Sequence, residues 1–126
     1  MQKLQMIILY VKDQQRSKIF YETILRQKPV LDVPGMTEFL LTENFKLGLM
    51  PEKGIAKILI PFTPHPEKGN GIPRCELYFF IGNPDEALEL AVKSGAKEIG
   101  KTEVRDWGDT VAYCADPDGH IIAFAK

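Results

Sequence analysis

The sequence predicts an α+β fold built from two βαβββ modules, and three observations carry that reading. A pattern of strand, capped helix and further strands runs to residue 60 and begins again at residue 75, after a proline-rich connector. A shift of 70 residues lays Tyr10-Val11-Lys12-Asp13 over Phe80-Ile81-Gly82-Asn83, so both first strands run into a helix-capping residue at the same offset. The C-terminal end reads as two strands joined by Asp116-Pro117-Asp118-Gly119. There Pro presets φ and Gly accepts a positive φ, which makes a hairpin.

In the first module, Lys3 to Lys12 reads as a strand. Asp13 then caps a helix over Gln14 to Leu25, whose Ile19, Phe20, Ile24 and Leu25 supply one packed face. Residues 26–36 hold Pro29, Pro34 and Gly35 and give a short strand and turns. Glu38 to Leu41 and Phe45 to Met50 are strands around the polar turn Thr42-Glu43-Asn44, and Ala56 to Ile60 is a further strand candidate. The connector, residues 61–74, contains four prolines and two glycines and is neither helix nor central strand. In the second module, residues 75–126, Glu76 to Ile81 is a strand and Asn83 caps a helix with Pro84 at its first position. Asp85 and Glu86 sit at the positive end of its dipole, and Ala87, Leu88, Ala91 and Val92 repeat at helical spacing. Lys93 falls near the helix end and Gly95 suits the C-terminal cap. Ala96 to Gly100, Thr110 to Ala115 and His120 to Ala125 complete the module as strands, with a polar, turn-like segment over Thr102 to Asp106.

A chain of 126 residues suits one domain, residues 1–126, with a real core. Apolar residues make up 44% and charged residues 26%, as in an ordinary soluble globule. The net charge is −1 and the cations are scattered, which argues against a nucleic-acid partner. No apolar run approaches the roughly 20 residues that span a bilayer, so no membrane is expected. Met1 to Gln5 lead straight into a strand pattern with no signal-peptide apolar region. Cys75 and Cys114 lie in apolar runs without metal or redox spacing, which reads as two buried free thiols in a reducing cytoplasm.

The segment Val11-x-Asp13-x-x-x-Ser17-x-x-Phe20-Tyr21, and the final hairpin with Trp107-Gly108-Asp109 ahead of it, resemble the glyoxalase/bleomycin-resistance/extradiol-dioxygenase group, the vicinal oxygen chelate superfamily. The resemblance covers nearly the whole chain. It implies that the modules form a cupped mixed β-sheet with helices outside. It also implies four metal positions inside the cup, on the first and last strands of each module, where His, Gln and Glu hold a divalent ion for a substrate chelating through two oxygens. Carried over one by one, those positions are Met6, then Gly48 or Leu49, then Glu76, then Ala123. A thioether is a poor ligand for a hard cation, and one carboxylate is no metal site. The sequence is therefore expected to hold no metal and no cofactor.

Strand alternation gives the lining instead. Met6, Ile8 and Tyr10 share one face of the first strand, and Glu76, Tyr78 and Phe80 share one face of its counterpart. The alternate residues Ile7, Leu9, Val11, Leu77, Phe79 and Ile81 should pack against helices. The lining is aromatic and apolar with one acid, which suits a small, partly apolar or cationic ligand. Glu76 reads as a charge partner or general base, as a solvated acid at the cup mouth, or as an acid paired with Arg74 or Arg105. Trp107 reads either as a wall that stacks on a ligand or as packing at a core edge or oligomer contact. The facing of Tyr113 is left open. His120, His65 and the pair Asp116 and Asp118 read as structural or solvated, the two acids as turn formers.

Two functions follow from the resemblance. One is a metal-free small-molecule binding protein like the bleomycin-resistance proteins, a homodimer in the cytoplasm with any exchange of modules between chains left open. The other is an enzyme of the same superfamily, a lyase, isomerase or dioxygenase type using Glu76 as its catalytic candidate, or a metal enzyme whose ligands lie elsewhere. The expected ligand-binding residues are Met6, Ile8, Tyr10, Glu76, Tyr78, Phe80 and Trp107.

Overall fold

The computed structural model describes residues 4–126. Lys3, where the first strand was expected to begin, and the N-terminal Met1 and Gln2 lie outside the described residues. The chain divides into two compact units between Lys68 and Gly69.

The first unit runs β1 (Gln5–Val11), α1 (Gln14–Leu25), β2 (Leu31–Val33), β3 (Met36–Thr42), β4 (Phe45–Pro51) and α2 (Glu52–Leu59). Its sheet has the order β1-β4-β3-β2, with β1 parallel to β4 and the other pairs antiparallel. Asp13 holds an extended backbone and its side chain accepts the Arg16 N–H at 3.0 Å, so α1 starts where its cap lies. Arg26, at φ 54, closes it in the left-handed conformation. Helix α1 packs on β3 and β4. Its buried residues are Ser17, Phe20 and Tyr21, and the sheet meets them with Leu9, Val11, Phe39, Leu47 and Leu49. Ile19, expected on that face, is 53% exposed. The inward stripe follows positions 17, 20 and 21, and Ile19 falls off it.

One strand expectation is corrected. Residues 56–60 are not a strand; Ala56 to Leu59 are the second half of α2. Ile55, Ala56 and Leu59 recur at helical spacing, Glu52 lies in the first turn and Lys57 in the last, and together these favour a helix over the local β-branched preference.

At the start of α1 a polar clamp fixes the β2–β3 turn. Gln14 Nε2 donates to Val33 O and to the Thr37 hydroxyl, both at 2.8 Å, while its Oε1 accepts the Gly35 N–H. Asp32 accepts from the Thr37 hydroxyl at 2.9 Å and pairs with Lys18 at 2.7 Å. The bond to Asp32 raises the Lys18 ammonium above its ordinary value, and Lys18 followed by Thr37 holds the Asp32 carboxyl below its own. A depressed acid contributes stability in full above its unfolded value of 3.8 and loses it as pH falls through the lower folded value. A raised lysine contributes in full below 10.5 and loses it as pH rises through the higher folded value. The melting temperature of Asp32→Asn should therefore lie below that of the wild type between those limits, by a small margin because the pair faces solvent. The two should converge in strong acid, and a gap that persists there would assign the effect to the Thr37 bond alone.

The second unit repeats the plan with β5 (Glu76–Phe80), α3 (Pro84–Lys93), β6 (Lys97–Val104), β7 (Thr110–Ala115) and β8 (Ile121–Ala125). The sheet order is β5-β8-β7-β6, again with the first strand parallel to the last. Asn83 caps α3 through the Glu86 N–H at 3.1 Å, as Asp13 caps α1. Helix α2 has no counterpart here. Strand β6 continues to Val104, through the start of the segment read as a turn over Thr102 to Asp106. Register shifts on either side of Gly100 break its alternation. Helix α3 packs on β6, β7 and β8, burying Leu88 and Ala91 against a face that carries Leu77, Ala112, Cys114, Ile122 and Phe124.

Of the two cysteines, Cys114 is buried and Cys75 is exposed, correcting the expectation of two buried thiols. Cys75 lies just before β5 begins, outside the sheet. Burial, with the charge of Asp116 adding, pushes the Cys114 thiol up to about 12. A thiol held protonated in this way is inert packing.

Candidate functional site

The second unit has one helix, on one side of its sheet, and the other side carries the residues expected to meet a ligand. Register places Tyr78 of β5 opposite Ala123 of β8, and Ala123 opposite Tyr113 of β7. Val111, Ala123 and Ala125 form a buried apolar floor, with Tyr78 and Tyr113 packed against it. Tyr113, whose facing the sequence left open, thus lies on the helix-free side. Glu76 and Phe80 share that side by alternation with Tyr78, and both are exposed. Phe80 meets Tyr78 edge to face, with ring centroids 5.3 Å apart.

The turn between β6 and β7 adds to this face. Arg105 N–H donates to Asp109 O at 2.8 Å and Gly108 N–H to Arg105 O at 2.9 Å. Gly108 adopts φ +98, a conformation that favours glycine. Trp107 projects from this closed turn and is 58% exposed, so it plugs no core edge within its unit. Its indole N–H donates to the Tyr78 hydroxyl at 2.9 Å, and that hydroxyl donates to Asp109 Oδ2 at 2.7 Å. Partial burial first, and the bond to Asp109 with it, raise the Tyr78 phenol above its ordinary value, while the bond from Trp107 opposes them. The phenol stays protonated with its donor and one acceptor site already engaged.

Arg105 lies over the Tyr113 ring at 5.0 Å, donates to Val111 O and pairs with Glu103, both at 3.3 Å. It does not pair with Glu76. Among the described residues the Glu76 carboxylate has no hydrogen-bond or ion partner, so the alternative pairing with Arg74 or Arg105 is not formed.

In the first unit, Met6, Ile8 and Tyr10 share a sheet face with Lys46, Gly48 and Met50 through the β1–β4 register. Leu9 and Val11 point the other way and are buried. Glu38, opposite Gly48, lies on the former face and bonds Lys46 Nζ at 2.9 Å. A side chain on Gly48 would begin 3.1 Å from the Met6 sulfur, 3.2 Å from Ile8 and 3.3 Å from the Met36 sulfur.

The closing hairpin contains the described residues' one grouping with metal-like spacing, Asp116, Asp118 and His120, whose ligand atoms lie within 4.8 Å of one another. Its geometry is that of a turn. Asp116 Oδ1 accepts the Asp118 and His120 backbone N–H groups, and Oδ2 meets His120 Nδ1 at 2.8 Å. Gly119, at φ +92, approaches Gly71 so closely that a Cβ would lie 3.2 Å from its Cα.

The profile of the glyoxalase-like domain family matches residues 4–126. The chain therefore belongs to that family, and with it to the vicinal oxygen chelate superfamily. No curated protein gave a significant match. Among solved structures, a glyoxalase-related enzyme from Fulvimarina pelagi superposes with a TM-score of 0.83 at 21% identity, over 99% of this chain and 88% of that one. A glyoxalase/bleomycin resistance protein/dioxygenase family enzyme from Burkholderia phytofirmans PsJN gives 0.82 at 16%, over 98% and 97%. A protein of Agrobacterium tumefaciens solved by NMR in solution gives 0.75 at 26%, over 99% and 97%. These likenesses bear out the α+β fold and the two repeated sheets.

The superfamily's divalent metal does not fit the donors present. In the first unit its positions carry a thioether and a glycine packed by two methionine sulfurs. In the second they carry Glu76 and Ala123, a fully buried methyl group beneath two tyrosines. Hard divalent ions take oxygen and imidazole ligands, and neither unit offers more than one at these positions. Sequence reasoning gave Asp109 no role of its own and did not find the partners of Arg105. Both act from a turn, where no periodicity marks which way a side chain reaches.

Proposed function

We propose that the protein is a metal-free small-molecule binding protein of the bleomycin-resistance-like kind, working as a cytoplasmic homodimer. One observation carries this reading: three of the four positions that hold the superfamily's metal offer no donor for a hard cation, while in the second unit tyrosines flank Ala123. Met6, Ile8 and Tyr10 in the first unit and Glu76, Tyr78, Phe80 and Trp107 in the second are the proposed ligand contacts. The relatives' names support small-molecule chemistry of this superfamily in general. Among the described residues no helix is long and apolar enough to cross a membrane.

Incubation with nickel, zinc, manganese or iron, followed by elemental analysis, is expected to give no stoichiometric metal. Glyoxalase and extradiol dioxygenase turnover should also be absent, because both chemistries chelate vicinal oxygens on a metal. One tightly held equivalent per chain, or turnover abolished by chelator, would overturn the reading.

The acid on the face predicts ligand charge. A thermal-shift screen should return cationic, partly apolar hits. Glu76→Gln should weaken these by about 1–3 kcal/mol, the range for a lost charge-assisted hydrogen bond, and leave neutral hits unchanged. Equal shifts in both proteins for every cationic hit would reduce Glu76 to a solvated rim acid.

A further inference from the structure

Trp107 combines exposure with a fixed indole N–H. It is more than half exposed, yet its only polar atom is bonded to a partly buried hydroxyl at 2.9 Å. A solvent-facing indole gains little by such a bond in stability alone, since water would serve its N–H equally well. The bond fixes the ring instead. Tyr78 in turn is fixed from behind, because its hydroxyl donates to Asp109 Oδ2 at 2.7 Å. Asp109, Tyr78 and Trp107 form a relay in which the acid sets the direction of the phenol O–H. The phenol oxygen then presents a lone pair to the indole. Asp109 Oδ1 has no hydrogen-bond partner among the described residues.

We propose that Asp109 is a positioning residue that locks Trp107 through Tyr78, and that its second oxygen pairs with a flat cationic ligand stacked on the indole. This deepens the small-molecule binding reading and rests on it. An indole face attracts cations as well as flat rings, and a carboxylate beside it selects the cation over a neutral or anionic ring of the same shape. Arg105 does not oppose that preference, because Glu103 near the end of β6 pairs with it. Prior locking lowers the cost of ordering the platform when a ligand arrives.

The chain has one tryptophan, so a 15N-labelled sample gives a single indole N–H resonance. Its hydrogen exchange reports the lock without any ligand. Tyr78→Phe should raise the exchange rate by about tenfold, the factor for one lost hydrogen bond. Asp109→Ala should raise it as well. Asp109→Asn should leave it near the wild-type rate, since the amide oxygen still accepts from Tyr78. Binding is read with proflavine, a flat cation, against 9-anthracenecarboxylate, a flat anion of similar size. The wild type should prefer proflavine, and Asp109→Asn should lose about tenfold of that affinity while keeping its indole protection. Unchanged exchange in Tyr78→Phe overturns the lock. Proflavine bound equally by wild type and Asp109→Asn, or not bound by the wild type, overturns the charge role. Hits of other chemistry in the thermal-shift screen would in that case leave the binding reading standing.

Discussion

Asp116→Ala is expected to destabilise the protein by about 3–5 kcal/mol, among the largest costs for a single substitution outside the apolar core. The Asp116 side chain is fully buried. Its carboxylate accepts from Asp118 N–H at 2.9 Å and His120 N–H at 2.8 Å, and meets the His120 ring at 2.8 Å. Removing it leaves two part-buried backbone donors without that acceptor, and each such group costs about 1–3 kcal/mol. Asp116→Asn keeps one accepting oxygen and should cost about half as much. Denaturant unfolding of the two variants measures both values. A loss below about 1 kcal/mol in Asp116→Ala would mean that Gly119 and the β7–β8 ladder hold the hairpin without the carboxylate.

That hairpin was legible in the sequence because its information is local. Pro117 and Gly119 dictate dihedral angles, and Asp116 can reach backbone groups only two to four residues away. The starts of α1 and α3 were legible for the same reason, and Asp13 and Asn83 cap them as their positions predict. The misread segments depend on more distant partners. Residues 56–60 carry enough apolar and β-branched side chains to suggest a strand, and only the packing of α2 against β4 and β1 makes the helical spacing decisive. Strand β6 hides its period because register shifts around Gly100 interrupt it.

The candidate site divides along the same line. Alternation put Glu76, Tyr78 and Phe80 on one face, since a strand's period of two needs no tertiary knowledge. The relay from Asp109 to Tyr78 spans 31 residues of sequence, and nothing in either local pattern announces it. Sequence alone marks Trp107 by its rarity, not by its partner. Asp109, one of 17 acidic residues, carries no such mark.

Ala123→Glu, which returns a carboxylate to the superfamily's fourth metal position, is expected to lower stability by about 3 kcal/mol or more and to recruit no metal. Ala123 is fully buried between Tyr78 on β5 and Tyr113 on β7. A glutamate there must displace an aromatic ring or bury its charge among Val111, Ala125 and the two rings. Either route costs more than the one ligand it supplies can return, because Glu76 is the sole other donor that the second unit offers at these positions. Denaturant unfolding with and without manganese or nickel separates the terms. A stable variant that gains further stability with metal would show that the donor positions still converge and that only the side chains have been lost. The expected result, an unstable variant indifferent to metal, places the change in the packing: the tyrosines have taken the space a ligand set needs, so metal binding is not one substitution away.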